Sequence, residues 1–186
     1  MHAVGIFLFP GRRMSAPAVS LAALNAAPND EFMRVLGDVV EHSPWVAERA
    51  FARRPYLSID DLNAKLMACI GETARAEQIA LFNRHPELAG REAVAGEMTE
   101  SSTGEQGRLG LTRLPPEQFQ RLTRLNRAHR EKFGFPFIAA LRLHDDLESV
   151  MREGEASLSN GLETEIERTL QQISAIVYGR LCRIVC

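Results

Sequence analysis

From Asp30 to the C-terminus the apolar residues recur at three- and four-residue spacing almost everywhere, which lays one apolar stripe along an α-helix. Phe32, Val35, Leu36 and Val39 make the first stripe, with Asn29 or Asp30 placed to cap its start. Ser43-Pro44 predicts the next helix, since proline is tolerated at a first helical position, and Val46, Ala47, Ala50 and Phe51 then point inward with Trp45 at the edge. Ser58-Ile-Asp-Asp61 is a capping box with Asp for the usual Glu; it opens a helix bearing Leu62, Leu66, Met67 and Ile70 that ends at Gly71. Another runs from about Thr73 through Ile79, Ala80 and Phe82. It stops at His85-Pro86, because a residue before proline is pushed out of the right-handed helical region.

Polar and small residues follow Gly90 through Gly96, and Met98 to Leu109 predicts a short helix capped at Thr99 or Ser102. Pro115-Pro116 begins a long helix with Phe119, Leu122 and Leu125 inward, stopping near Phe133-Gly134. Phe135 to Ile138 is apolar but contains Pro136, so it reads as an extended entry into a short helix with Leu141 and Leu143. Asp145 to Arg152 predicts a short helix, Gly154 to Gly161 a polar turn, and Leu162 to about Val185 one unbroken helix with Leu170, Ile173, Ile176, Val177 and Leu181 on a stripe. The pattern as a whole predicts an all-α, single-domain helical bundle without repeats or linkers.

The N-terminal apolar run, Ala3 to Pro10, precedes Gly11-Arg-Arg13, the reverse of a secretory signal. Residues 1–13 are therefore expected to be an extension, with Met14 the natural start and 14–186 the domain. No run approaches the roughly 18 apolar residues of a membrane span. With 186 residues, 45% hydrophobic, 25% charged and a net charge of -2, the composition is that of a globular protein long enough for its own core. The 22 basic and 24 acidic residues are mixed and only 6% of residues are aromatic, which argues against a nucleic-acid partner. Cys69, Cys182 and Cys186 show no zinc-knuckle spacing and suit a reducing cytoplasm as free thiols.

The chemistry-bearing residues gather in three segments: His85-Pro-Glu-Leu-Ala-Gly90, Ser102-Thr-Gly-Glu105-Gln106 and Gly134-Phe-Pro-Phe137. A helix-end imidazole, a carboxylate and an amide among small residues are poor core material and good pocket material, so a cofactor-free acid/base site is expected. The helix dipole would favour a protonated His85. A plainer reading stays open, in which His85 caps carbonyls and Glu105 and Gln106 form an exposed helix face. Glu87 is expected to face solvent or brace the turn, His42 to pack before a cap, and His129 and His144 to lack a supporting cluster.

Glu41-His-Ser-Pro-Trp45, Asn83-Arg-His-Pro-Glu-Leu-Ala-Gly90, Ser102-Thr-Gly-Glu105-Gln106, Leu125-Asn126 and Lys132-Phe-Gly-Phe-Pro-Phe137 resemble the 2-oxo-4-hydroxy-4-carboxy-5-ureidoimidazoline (OHCU) decarboxylases, from about Phe32 to Leu181. The resemblance implies an all-α homodimer that converts OHCU, a late intermediate of urate breakdown, to (S)-allantoin and carbon dioxide, with no metal or organic cofactor. It implies catalytic roles for His85, Glu105 and Arg180, with Arg183 as the alternative cation, and substrate contacts from Pro86, Ser102, Gln106, Phe137 and Ile138. Arg180 could instead only neutralise its helix C-terminus. Two rival classes remain: a helical binding or scaffold module, and a metal hydrolase using His85, Glu105 and His42.

Overall fold

The computed structural model describes residues 18–90 and 100–186, and among them the regular elements are helical. The expected extension, the 91–96 loop and a cap at Thr99 lie outside the described residues. Ser20 opens α1 (Leu21–Ala26) by accepting the Ala23 N–H at 3.1 Å. In α2 (Asn29–Leu36), Pro28 holds the cap position, so Asn29 falls inside the first turn with Asp30 and Glu31, whose charges suit a helix N-terminus.

Pro44 starts α3 (Pro44–Phe51), yet Ser43 makes no cap bond and its buried hydroxyl has no partner among the described residues. Ser58 caps α4 (Ile59–Gly71) by accepting the Asp61 N–H at 3.0 Å. The Asp61 carboxylate reaches one residue further back than a capping box does, to the Leu57 N–H at 2.9 Å. α5 (Arg75–Phe82) stops three residues before His85.

α6 (Glu100–Arg108) contains Ser102 rather than being capped by it. α7 (Pro116–Phe133) ends where Gly134 turns left-handed at φ 82°. Phe119, expected inside, is 43% exposed in the first turn of that helix, ahead of the buried Leu122 and Leu125. α8 (Leu147–Ser157) is capped by Asp146 and runs through Gly154, where a turn was expected. That glycine is needed for closeness: a Cβ there would lie 2.6 Å from Leu125 and 2.9 Å from the Phe137 ring. α9 (Leu162–Ile184) completes the bundle, and Val19 pairs with Val185 in an isolated bridge that ties the chain's two described ends together.

α9 packs most extensively on α4, α4 on α3 and α3 on α2. Their apolar faces form the main core, which includes Phe32, Leu66, Ile70, Phe82, Ile173 and Val177. A second cluster joins α7, α8 and the loop after His85 through Leu88, Leu122, Leu125, Phe137, Val150 and Met151. The extended segment 135–141 threads between the two: Phe135 and Ile138 enter the main core, Phe137, Ala139 and Leu141 the second. Its backbone is fixed from both sides. Arg168 donates twice to the Ile138 carbonyl at 3.1 Å, and the Gln172 side chain accepts the Ala140 N–H at 2.8 Å. From α6, Arg108 donates to the Leu141 carbonyl and, at 2.8 Å, to that of His144. Buried backbone groups without such partners would be costly.

Candidate active site

After α5 the chain turns at once, the His85 N–H donating to the Phe82 carbonyl at 3.1 Å, and Pro86 prevents the helix from resuming. Ala89 sits at φ 51°, a conformation costly for a residue with a Cβ, and its N–H is held by the Gln106 carbonyl oxygen at 2.9 Å. The Gln106 amide nitrogen donates to the Glu87 carbonyl at 3.2 Å, and Asn126 donates to Leu88 O at 3.1 Å. Glu87 pairs with Arg130, so it braces the turn from outside. Gln106, expected as a substrate contact, thus holds the His85 loop to α6.

His85, Pro86, Ser102, Glu105, Gln106, Ile138 and Arg180 line one pocket, partly open to solvent. Phe137 does not join them. Its ring packs on Gly154 and His129 instead.

His85 is 7% exposed, and its Nδ1 lies 3.3 Å from the Leu81 carbonyl. A carbonyl only accepts, so in the neutral ring Nδ1 bears the hydrogen and Nε2 the lone pair, a tautomer inferred from this contact. The expected protonation by the helix dipole is corrected here. Burial pushes the imidazole down to about 4; the Leu81 contact and the charges of Glu41 and Glu105 pull up, Arg180 pushes down, and desolvation wins. His85 rests neutral, as a base.

That has a thermodynamic sign. Between the unfolded value near 6.5 and about 4, the unfolded chain binds a proton that the folded chain does not. Stability present above pH 6.5 is therefore lost as pH falls toward 4, by about 3 kcal/mol from this group. Urea denaturation at pH 7 and pH 4.5 should show a smaller loss for His85→Asn than for wild type. Equal losses in both proteins would assign the effect to other groups.

Arg180, 4% exposed on α9, meets the other two segments. Its Nε donates to Glu105 Oε1 at 3.1 Å and its Nη2 to Glu105 Oε2 and Ser102 Oγ, both at 3.0 Å. Nη1 donates to Glu41 Oε2 at 2.8 Å and to the Val39 carbonyl at 3.3 Å. All five N–H groups of the fork are spent on protein. The fork thereby joins α9 to Glu105, Ser102 and Glu41. Arg183, 54% exposed by side chain, adds a bond to Glu105 Oε1 at 3.2 Å.

Glu41 is the participant the sequence did not single out. It is fully buried, and its Oε2 accepts from both Arg180 and Ser102, the latter at 2.8 Å. Its place in the Glu41–Trp45 motif was the only signal, and the neighbouring His42 drew attention away. His42 does not pack before the cap as expected: at φ 46° its side chain is 53% exposed, outside the pocket. The metal set His85, Glu105 and His42 is thus not assembled. No group of three metal-donor side chains able to hold an ion occurs among the described residues. His129 is buried beside Ser157 and Gly154, and His144 lies against Ser149 and Glu153; both have local partners away from the pocket.

A helical bundle with an imidazole, a carboxylate and a saturated guanidinium on one pocket, and a second carboxylate buried behind it, has the groups for acid/base chemistry. Comparison with known proteins narrows this. The OHCU decarboxylase family model matches residues 25–182. The chain is 35% identical to a 2-oxo-4-hydroxy-4-carboxy-5-ureidoimidazoline decarboxylase of Halalkalicoccus jeotgali over 85% of this chain and 87% of that one. It is also 35% identical to the Mus musculus protein of that name, over 88% and 91% respectively. A crystal structure of (S)-allantoin synthase superposes with TM-score 0.67 at 24% identity, over 90% of this chain and 54% of that chain, and so shares the fold. This chain spans about half the length of that solved structure. The chain belongs to the OHCU decarboxylase family.

Proposed function

We propose that the protein decarboxylates OHCU to (S)-allantoin and carbon dioxide in urate breakdown, without metal or organic cofactor. The observation that carries this reading is a buried neutral imidazole, its Nδ1 engaged by Leu81, in the same pocket as the Glu105–Arg180 pair. The family match across most of the chain supports it.

In the substrate, hydroxyl and carboxylate share one ring carbon beside an imine-like carbon that bears the ureido group. When the bond to the carboxylate breaks, its electron pair forms a double bond between the two ring carbons. The imine pair moves to the ring nitrogen, which takes a proton, and carbon dioxide leaves. The hydroxyl then loses its proton to become a carbonyl while the ureido-bearing carbon gains one. The balance is one proton taken up per carboxylate lost, and the ring is its own electron acceptor.

His85 Nε2 takes the hydroxyl proton and returns a proton to one face of the ureido-bearing carbon, which sets the chirality. Three of the lone-pair positions of Glu105 are occupied by Arg180 and Arg183, leaving one on Oε2 to accept from an N–H of the substrate. Arg180 and Ser102 fix that carboxylate, Gln106 fixes the His85 loop, and Pro86 and Ile138 form walls that orient the ring. We further read the protein as a cytoplasmic homodimer. The family resemblance supports the dimer, and three free cysteines support a reducing compartment. No described helix is long and apolar enough to cross a membrane.

OHCU also decays without a catalyst, so product handedness is the decisive readout. Circular dichroism of freshly generated OHCU should develop the signal of (S)-allantoin when the protein is added. Racemic product at the uncatalysed rate would refute the activity.

A further inference from the structure

We propose that Arg142 is a substrate-binding residue of this pocket: its guanidinium receives the carboxylate that the reaction removes. The inference rests on the decarboxylase reading and extends it to how substrate is told from product.

Three cations line the pocket among the described residues: Arg142, Arg180 and Arg183. An arriving carboxylate needs one with unspent N–H groups and unneutralised charge. Arg180 has neither, since its five donors are engaged and two carboxylates face it. Arg183 is paired with Glu105. Arg142 forms no ion pair among the described residues, and its one hydrogen bond is from Nε to the Ala175 carbonyl at 2.7 Å. Four Nη hydrogens stay available, in the planar geometry that matches a carboxylate.

The stem of Arg142 is held ready. It lies across α9 where Gly179 has no side chain: a Cβ there would sit 2.8 Å from Arg142 Cδ and 3.0 Å from Nε. The Tyr178 ring lies 5.6 Å from the guanidinium carbon. Both neighbours and Ala175 lie on one stretch of α9, so α9 positions the guanidinium of a residue that lines the pocket.

A contact to the carboxylate exists in the bound substrate and vanishes with carbon dioxide. It therefore favours binding over turnover, and it is absent from the product, which leaves more easily. Arg142→Gln, at an exposed position, should raise KM for OHCU about tenfold or more with kcat within about twofold. The inhibition constant of added allantoin should not change. Gly179→Ala should reproduce the KM effect by displacing the stem.

An Arg142→Gln KM within twofold of wild type overturns the proposal, whatever Gly179→Ala does. So does a parallel weakening of allantoin, which would mean that Arg142 shapes the pocket generally. Wild-type protein that does not turn over OHCU at all fails the decarboxylase reading, and this inference with it.

Discussion

His85→Asn is expected to lower turnover of freshly generated OHCU by at least about a hundredfold, the usual scale of a general acid/base contribution. The far-UV circular dichroism should stay unchanged. The Asn amide can still donate to the Leu81 carbonyl, which His85 Nδ1 approaches at 3.3 Å, so the turn into Pro86 keeps its hydrogen bond. What disappears is the lone pair of Nε2, and with it the group that moves the proton. Because the variant keeps its pocket, allantoin should still inhibit what activity remains. A rate near wild type would remove His85 from the mechanism.

Arg180→Met should destabilise the fold by about 3–5 kcal/mol, the cost of breaking a buried ion pair from one side. Methionine fills much of the volume but takes the guanidinium away from the fully buried Glu41 carboxylate. Arg180→Lys should fall between wild type and the Met variant, since an ammonium keeps the charge but cannot reach Glu105, Ser102 and Glu41 together. Chemical denaturation at pH 7 measures both. A loss below about 1 kcal/mol for the Met variant would mean that water reaches the carboxylates and that the cluster is not a buried one.

Much of this was legible in the sequence wherever the controlling physics is local. Proline after His85 constrains its neighbour whatever surrounds it, and Pro44, Ser58 and Gly134 act within one turn of chain. Features that depend on distant partners were not legible. Glu41 meets Arg180 across 139 positions, and no spacing rule links them. Gly154 reads as a helix stop locally, but tertiary packing overrides that tendency because Leu125 and Phe137 need its missing side chain.

Phe137 and Ile138 show the same limit for a single residue step. Both are apolar and adjacent, and only the placement of segment 135–141 between two cores decides which one reaches the pocket. The charge state of His85 was misjudged for a related reason. The helix dipole is visible in sequence, whereas the desolvation that outweighs it depends on what covers the ring.

The wall formed by Ile138, Ala139, Ala140 and Leu141 owes its shape to Arg168, Gln172 and Arg108, which grip its main chain. A small molecule settling against it encounters a surface that has already given up its freedom, and little ordering of the protein accompanies capture. Arg168 and Gln172 lie outside the pocket lining, so evolution can loosen or tighten the mould through them without altering any group that meets the ring.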